Sequence, residues 1–131
     1  MSEIVVRSLE NMDEFVQAEQ IQLDAWHMAD REAIPGHAMH AMQQNGALVL
    51  GAFDGGDMVG FALAILATIE DSNNRPDQVA AARLKMYSVI AGVLPEYQKS
   101  GVGFQLKMAQ REYALRIGIR LITWTYDPLK V

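Results

Sequence analysis

The chain has no cysteine. That excludes disulfides, thiolate nucleophiles and cysteine-held zinc, and it is ordinary for a protein kept in a reducing compartment. Cations are also scarce: 11 Lys and Arg stand against 16 Asp and Glu, a formal net charge of −5. Nucleic-acid binding rests on neutralising phosphates with Lys and Arg, so this balance argues against such a partner. Long apolar runs are missing as well. The longest, Met58 to Ala67 with Gly60 inside it, falls far short of the ~20 residues that cross a bilayer. The start, MSEIVVRSLE, lacks the basic segment and apolar core of a secretion signal. The expectation is a cytoplasmic protein without a membrane or nucleic-acid partner.

What remains is a chain of 131 residues, 50% hydrophobic and 21% charged. It is expected to form a single domain over residues 1–131 that buries about two-thirds of its unfolded surface. Ile4 to Arg7 is rich in β-formers. Asn11 and Asp13 are cap residues for a helix reaching about Trp26, with Met12, Phe15, Val16, Leu23 and Trp26 as its buried stripe and Glu19 at the edge of that stripe. Beyond Ile34-Pro35-Gly36, a second helix from His37 to about Gln44 ends at Asn45-Gly46.

Two β-rich runs follow, Ala47 to Phe53 and Met58 to Ile69, joined by the hairpin signal Asp54-Gly55-Gly56-Asp57. Glu70 to Gln78 reads as a loop. Leu84 to Leu94 reads as a central strand closed by Pro95. A helix from Gly101 to about Arg116 has the stripe Val102, Leu106, Ala109, Tyr113 and Ile117, with Glu112 and Arg116 spaced to pair. Gly118 closes it, and Ile119 to Thr125 is a last strand. The order is β-α-α-β-β-β-α-β.

The chemistry lies in VLPEYQKSGVGFQL, where a strand end, a proline, a polar loop and two glycines lead into an amphipathic helix. The first helical turn presents N–H groups without intrahelical partners, and the helix dipole adds positive character, so such a start binds anions. Gly101 and Gly103 allow close approach to the backbone, and Lys99 adds a mobile cation. The bland reading is that the glycines serve only a tight turn and close packing. The P-loop pattern is absent, and the dinucleotide fingerprint fails because Leu106 stands where a glycine belongs.

Gln98-Lys99-Ser100-Gly101-Val102-Gly103 matches the Q/R-x-x-G-x-G/A signature of the GNAT N-acetyltransferase superfamily, and Val93, Leu94 and Pro95 precede it as in that family. The element order matches too, and GVLPEYQKSGVGFQLKMAQREYA with LITWTYDPL resembles a poorly characterised predicted-acetyltransferase branch. The resemblance implies an α/β (α+β) GNAT acyl-CoA N-acyltransferase fold, a mixed central sheet flanked by helices. It implies acetyl-CoA, or another acyl-CoA, as co-substrate. The pyrophosphate would lie on Gln98, Lys99, Ser100, Gly101, Val102, Gly103 and Phe104. The pantetheine arm would pair with Ala91, Gly92, Val93 and Leu94.

The acyl group would pass to an amine of a small-molecule or protein acceptor by direct attack, with a backbone N–H near Val93 as oxyanion donor. Glu19, Asp24 and Glu32 are candidate bases, each also readable as a solvated carboxylate. Tyr126 is the candidate acid toward the leaving thiolate, although relatives place that tyrosine later in the chain. His37 and His40 share a helix face, yet two histidines without a third ligand make a poor metal site, and no metal is expected. His27 beside Trp26 suits the wall of an acceptor cleft.

A GNAT domain adds one helix and two strands after the fifth strand, whereas this chain stops at Val131. The expectation is a chain truncated relative to the family, with the C-terminal helix and strands missing and a homo-oligomer covering the exposed edge after Thr125. The competing function is a non-catalytic CoA-binding or protein-interaction module on a partial GNAT fold. A small-molecule sensor without CoA leaves Gln98 to Gly103 unexplained.

Overall fold

Two short turns and one reciprocal cap place most of the chain. The computed structural model describes residues 3–26, 32–69 and 83–124. Among them run β1 (Ile4–Ser8), α1 (Met12–Trp26), α2 (Gly36–Gln44), β2 (Leu48–Asp54), β3 (Asp57–Thr68), β4 (Leu84–Val93), a 3-10 turn (Pro95–Tyr97), α3 (Val102–Arg116) and β5 (Ile122–Thr123). This is the order expected from sequence. Asp54 pairs with Asp57, leaving Gly55-Gly56 as the two-residue turn, with Gly55 at φ +62°. The sheet order is β1-β2-β3-β4-β5, antiparallel through β4, with β5 parallel to β4.

The sheet is covered on both faces. Leu48, Leu50, Ala52, Ala62 and Met86 pack under α3 through Val102, Leu106 and Ala114. Val49, Phe53, Phe61 and Leu63 pack under α1 and α2 through Phe15, Ala18, Ile21 and Met39. Double coverage explains why β2 and most of β3 are continuously apolar rather than alternating. At Gly60 a Cβ would lie 3.1 Å from Val102 Cγ1 and 3.3 Å from Leu106 Cδ1. The missing side chain lets the first turn of α3 sit down on β3.

Several expectations are corrected. The inward face of α1 is Phe15, Ala18, Ile21 and Gln22, whereas Met12, Val16 and Trp26 are exposed. Polar residues with partners, Glu14 and Gln22, take inward positions and turn the helix away from the purely apolar stripe. In α3, Gln110 and Ala114 are buried, Ala109 and Tyr113 are half-buried and Ile117 is exposed. Arg116 lies over the Tyr113 ring at 5.9 Å, with no ion pair to Glu112 among the described residues. As expected, β4 lies inside the sheet, between β3 and β5, though it is less deeply buried than β2 and β3. Among the described residues the last strand pairs with β4 at Ile122 and Thr123, so it starts later than Ile119, while its expected end at Thr125 lies outside them. The loop expected at Glu70 to Gln78 lies outside the described residues.

The start of α1 is fastened twice. Asn11 Oδ1 accepts the Glu14 N–H at 3.0 Å, and Glu14 Oε1 accepts the Glu10 N–H at 2.7 Å. Arg7 on β1 grips both Glu14 oxygens, at 3.0 and 2.7 Å, and stacks on Phe53 at 4.1 Å. These Arg7 hydrogen bonds, with a lesser backbone bond from Glu10, hold the Glu14 carboxyl below its ordinary value. A depressed folded-state pKa stabilises fully above the ordinary value of about 4.3 and is lost as pH falls through the lower folded value. Glu14→Gln should cost about 1–2 kcal/mol at neutral pH, less than a fully buried pair because Arg7 is partly exposed. It should also flatten the acid limb of the stability profile below about pH 4.3, read by urea unfolding at stepped pH.

Candidate functional site

The site lies along β4, just past its described pairing with β5. Ladder pairing joins Met86 to Ile122 and Tyr87 to Thr123 and goes no further among the described residues. Two residues on, β4 carries a bulge: Leu63 pairs with Ile90 and Ala64 with Ser88, leaving Val89 as the extra residue. From there to Val93, the ladder partner of β4 among the described residues is β3 alone.

The register fixes which groups face the gap. Leu94 N–H donates to Val59 O at 2.9 Å, so that position is a hydrogen-bonded one. Antiparallel alternation then turns the main-chain groups of Val93 and Ala91 away from β3. Their carbonyls are taken by side chains: Gln98 Nε2 donates to Val93 O at 3.0 Å, and Trp26 Nε1 donates to Ala91 O at 3.2 Å. Their N–H groups have no partner among the described residues.

The polar loop follows directly. Tyr97 N–H donates to Leu94 O at 2.9 Å and Ser100 N–H to Tyr97 O at 3.1 Å, winding the chain tightly. Tyr97 OH donates to Asp54 Oδ2 at 2.5 Å, tying this turn to the end of β2. That bond, helped by desolvation and by nearby carboxylates, raises the phenol above its ordinary pKa. Gly101 then turns into the left-handed region at φ +82° and begins α3 without a side-chain cap. Gln105 N–H donates to Gly101 O, so the N–H groups of Val102, Gly103 and Phe104 precede the first intrahelical bond. A Cβ on Gly103 would have only Val93 Cγ2, at 4.0 Å, near it, and one on Gly101 nothing within 4 Å. Positive φ requires glycine at 101, whereas open space surrounds 103, as an approaching anion needs.

Thus Ala91 to Leu94 and Gln98 to Phe104 form one continuous surface: a strand edge with two outward N–H donors, then a helix start with three. Lys99, Ser100 and Phe104 are exposed at its mouth. The proposed chemical side is less gathered. Glu19 Oε1 accepts the Gly36 N–H at 2.7 Å, so this carboxylate serves the start of α2. Close approach there is allowed by Gly36, whose Cβ would lie 2.8 Å from Phe15 O. Asp24 accepts from Gln20 at 3.0 Å. Glu32 is exposed, with no partner among the described residues. His40 meets Phe15 edge-on at 5.1 Å, and the described residues hold no metal-binding cluster. His27, Tyr126 and Asp127 lie outside the described residues.

Sequence reading missed Trp26 at the β4 edge, the Gln98 and Tyr97 side-chain bonds, and Gln22. Gln22 is fully buried and pairs with Ile34 through both main-chain groups, at 2.8 and 2.9 Å, fixing the α1–α2 connection. Buried glutamine in an apolar stripe was the one available signal.

Among the described residues, the outward edge of β4 and the uncapped start of α3 lie side by side in an α/β domain. No protein-family model matches the chain, and no curated protein matches it. Solved structures do. An aminoglycoside acetyltransferase from an uncultured soil metagenomic sample, in complex with trehalose, aligns at a TM-score of 0.77 and 15% identity, over 97% of this chain and 80% of that one. The aminoglycoside N-acetyltransferase AAC(6')-Iy in complex with CoA aligns at 0.74 and 18%, over 98% and 80%. A GNAT family acetyltransferase from Staphylococcus aureus aligns at 0.69 and 14%, over 97% and 88%. The chain has the GNAT acetyltransferase fold.

Gly103→Asp isolates the helix start. The position has room and ordinary helical geometry, and a carboxylate in the first turn of a helix is favourable by about 0.3–1 kcal/mol. The variant should fold as stably as wild type in thermal melts while losing all CoA binding in calorimetry.

Proposed function

We propose that this protein is an acyltransferase that moves an acetyl or other short acyl group from acyl-CoA to an amine. The observation that carries the reading is the pairing, on one surface, of a β4 edge that has no strand partner among the described residues with the uncapped start of α3. Neither feature has a structural use that accounts for both. No described helix is long and apolar enough to cross a membrane.

When bound, acyl-CoA supplies a thioester open to attack by an amine. The N–H groups of Val102, Gly103 and Phe104 would hold its pyrophosphate, with Gln98 to Gly101 shaping the loop and Lys99 adding charge. The outward N–H groups of Ala91 and Val93 would bond the extended arm, with Gly92 and Leu94 completing the strand. The Val93 N–H is the assigned donor to the oxygen that gains charge during attack, because it is fixed by the ladder and needs no rearrangement.

No covalent nucleophile is needed, in keeping with the missing cysteine. For the amine's proton, Glu32 is the preferred base, directly or through water. Glu19 keeps a second place because one oxygen is already committed to Gly36. Tyr126 is the proposed acid toward the thiolate. The fold neighbours that are aminoglycoside acetyltransferases favour a small-molecule amine as acceptor. A homo-oligomer belongs to the same reading, and sedimentation of the purified chain tests it.

Calorimetry with acetyl-CoA and CoA comes first, followed by an amine screen that reads CoA thiol release. A cysteine-free chain adds no thiol background. Thiol release that depends on the amine and falls at least tenfold in Glu32→Gln supports the enzyme and its base. Binding of CoA without release by any amine favours the non-catalytic CoA-binding module. A folded chain that binds neither ligand overturns both.

A further inference from the structure

The open β4 edge offers donors, but both of its outward carbonyls are already covered. The two covers differ. Gln98 is five residues from Val93 and belongs to the same loop, whereas Trp26 reaches Ala91 from 65 residues away, off the end of α1. The indole lies against the strand: a Cβ on Gly92 would sit 3.2 Å from Trp26 Nε1 and 3.2 Å from Phe61 Cε1. Yet Trp26 remains 57% exposed. A large aromatic ring held at a surface by one long hydrogen bond is weakly fastened. What it fastens to is a main-chain acceptor that a strand-like ligand would claim.

We propose that Trp26 is a placeholder for the ligand. Its indole N–H occupies the Ala91 carbonyl that a secondary amide N–H of an extended arm would take, and binding exchanges one donor for the other. The inference rests on the acyl-CoA reading above and adds a residue that binds in competition with the arm rather than alongside it. Exchange keeps the Ala91 carbonyl satisfied in both states, so the edge never has to present a bare acceptor to a neighbouring chain. The indole released from the edge stays at the end of α1, on the face opposite α3, where it is free to form a wall beside the ligand. The missing side chain at Gly92 lets the indole lie this close to the strand, since an added Cβ would press on it more tightly than ordinary van der Waals contact.

The chain has two tryptophans, so Trp124→Phe leaves Trp26 as the sole indole reporter. Titrating that variant with CoA should shift the emission of Trp26, in parallel with the heat of binding. Trp26→Phe keeps a ring and removes the N–H. It should bind CoA about fivefold more tightly than wild type, the worth of one exposed hydrogen bond. Gly103→Asp in the same background should abolish both signals. If CoA binds wild type while Trp26→Phe binds no tighter and the emission does not move, the placeholder is wrong and the acyl-CoA reading stands. If Trp26→Phe binds CoA and wild type does not, the placeholder is upheld in its strongest form. If neither folded protein binds CoA, both the reading and the placeholder fall.

Discussion

A main-chain polar group cannot be left unpaired without cost, and the structure turns on where that requirement goes unmet. Between Val89 and Val93 one edge of β4 has no strand neighbour among the described residues, and within ten residues α3 begins with three N–H groups ahead of its first intrahelical bond. Both are open valences of the backbone. The remaining elements hold these two edges at a fixed separation. Gly60 seats α3 on β3, Tyr97 binds the intervening turn to Asp54, and the ladder with β3 holds the strand.

The two faces of the sheet serve this arrangement unequally. On the α3 face, packing sets the helix start and therefore the anion end of the surface. On the other face, α1 and α2 are locked together by polar contacts, Glu19 to Gly36 and Gln22 to Ile34, and to β1 by Arg7 and Glu14. Those contacts decide how far the end of α1, and with it Trp26, leans over β4. A change near the N-terminus thereby reaches an edge far along the chain without touching it.

The element order, the Gly55-Gly56 turn, the Asn11 cap and the glycine loop were legible because each depends on local chemistry, a turn geometry or a cap, that a short stretch writes in full. The loop at Gln98 to Gly103 lies where its residues placed it, with Gly101 at positive φ. The inward face of α1 was not legible. Its phase is decided by Glu14 and Gln22, whose partners Arg7 and Ile34 lie in other segments, so apolar periodicity pointed to Met12, Val16 and Trp26 instead. The late start of β5 was equally hidden, since Ile119 to Thr123 is uniformly strand-like and its described pairing with β4 begins only at Ile122. The chemical side of the candidate site depends on side chains brought together from distant segments, and sequence supplied only a pool of carboxylates for it.

A binding surface made of peptide N–H groups carries almost no residue preference of its own. Beyond a glycine at position 101 and small residues at 60 and 92, nearly any side chains satisfy it, provided the strand and helix keep their places. Such a surface can be inherited through very deep divergence, which fits a chain that shares 14–18% of its residues with structures it follows over almost its whole length. The same freedom leaves the far side of the gap, built from side chains at the end of α1, to drift independently. The main-chain surface and the side chains that face it can therefore change at different rates, the first held by backbone geometry and the second by a handful of residues.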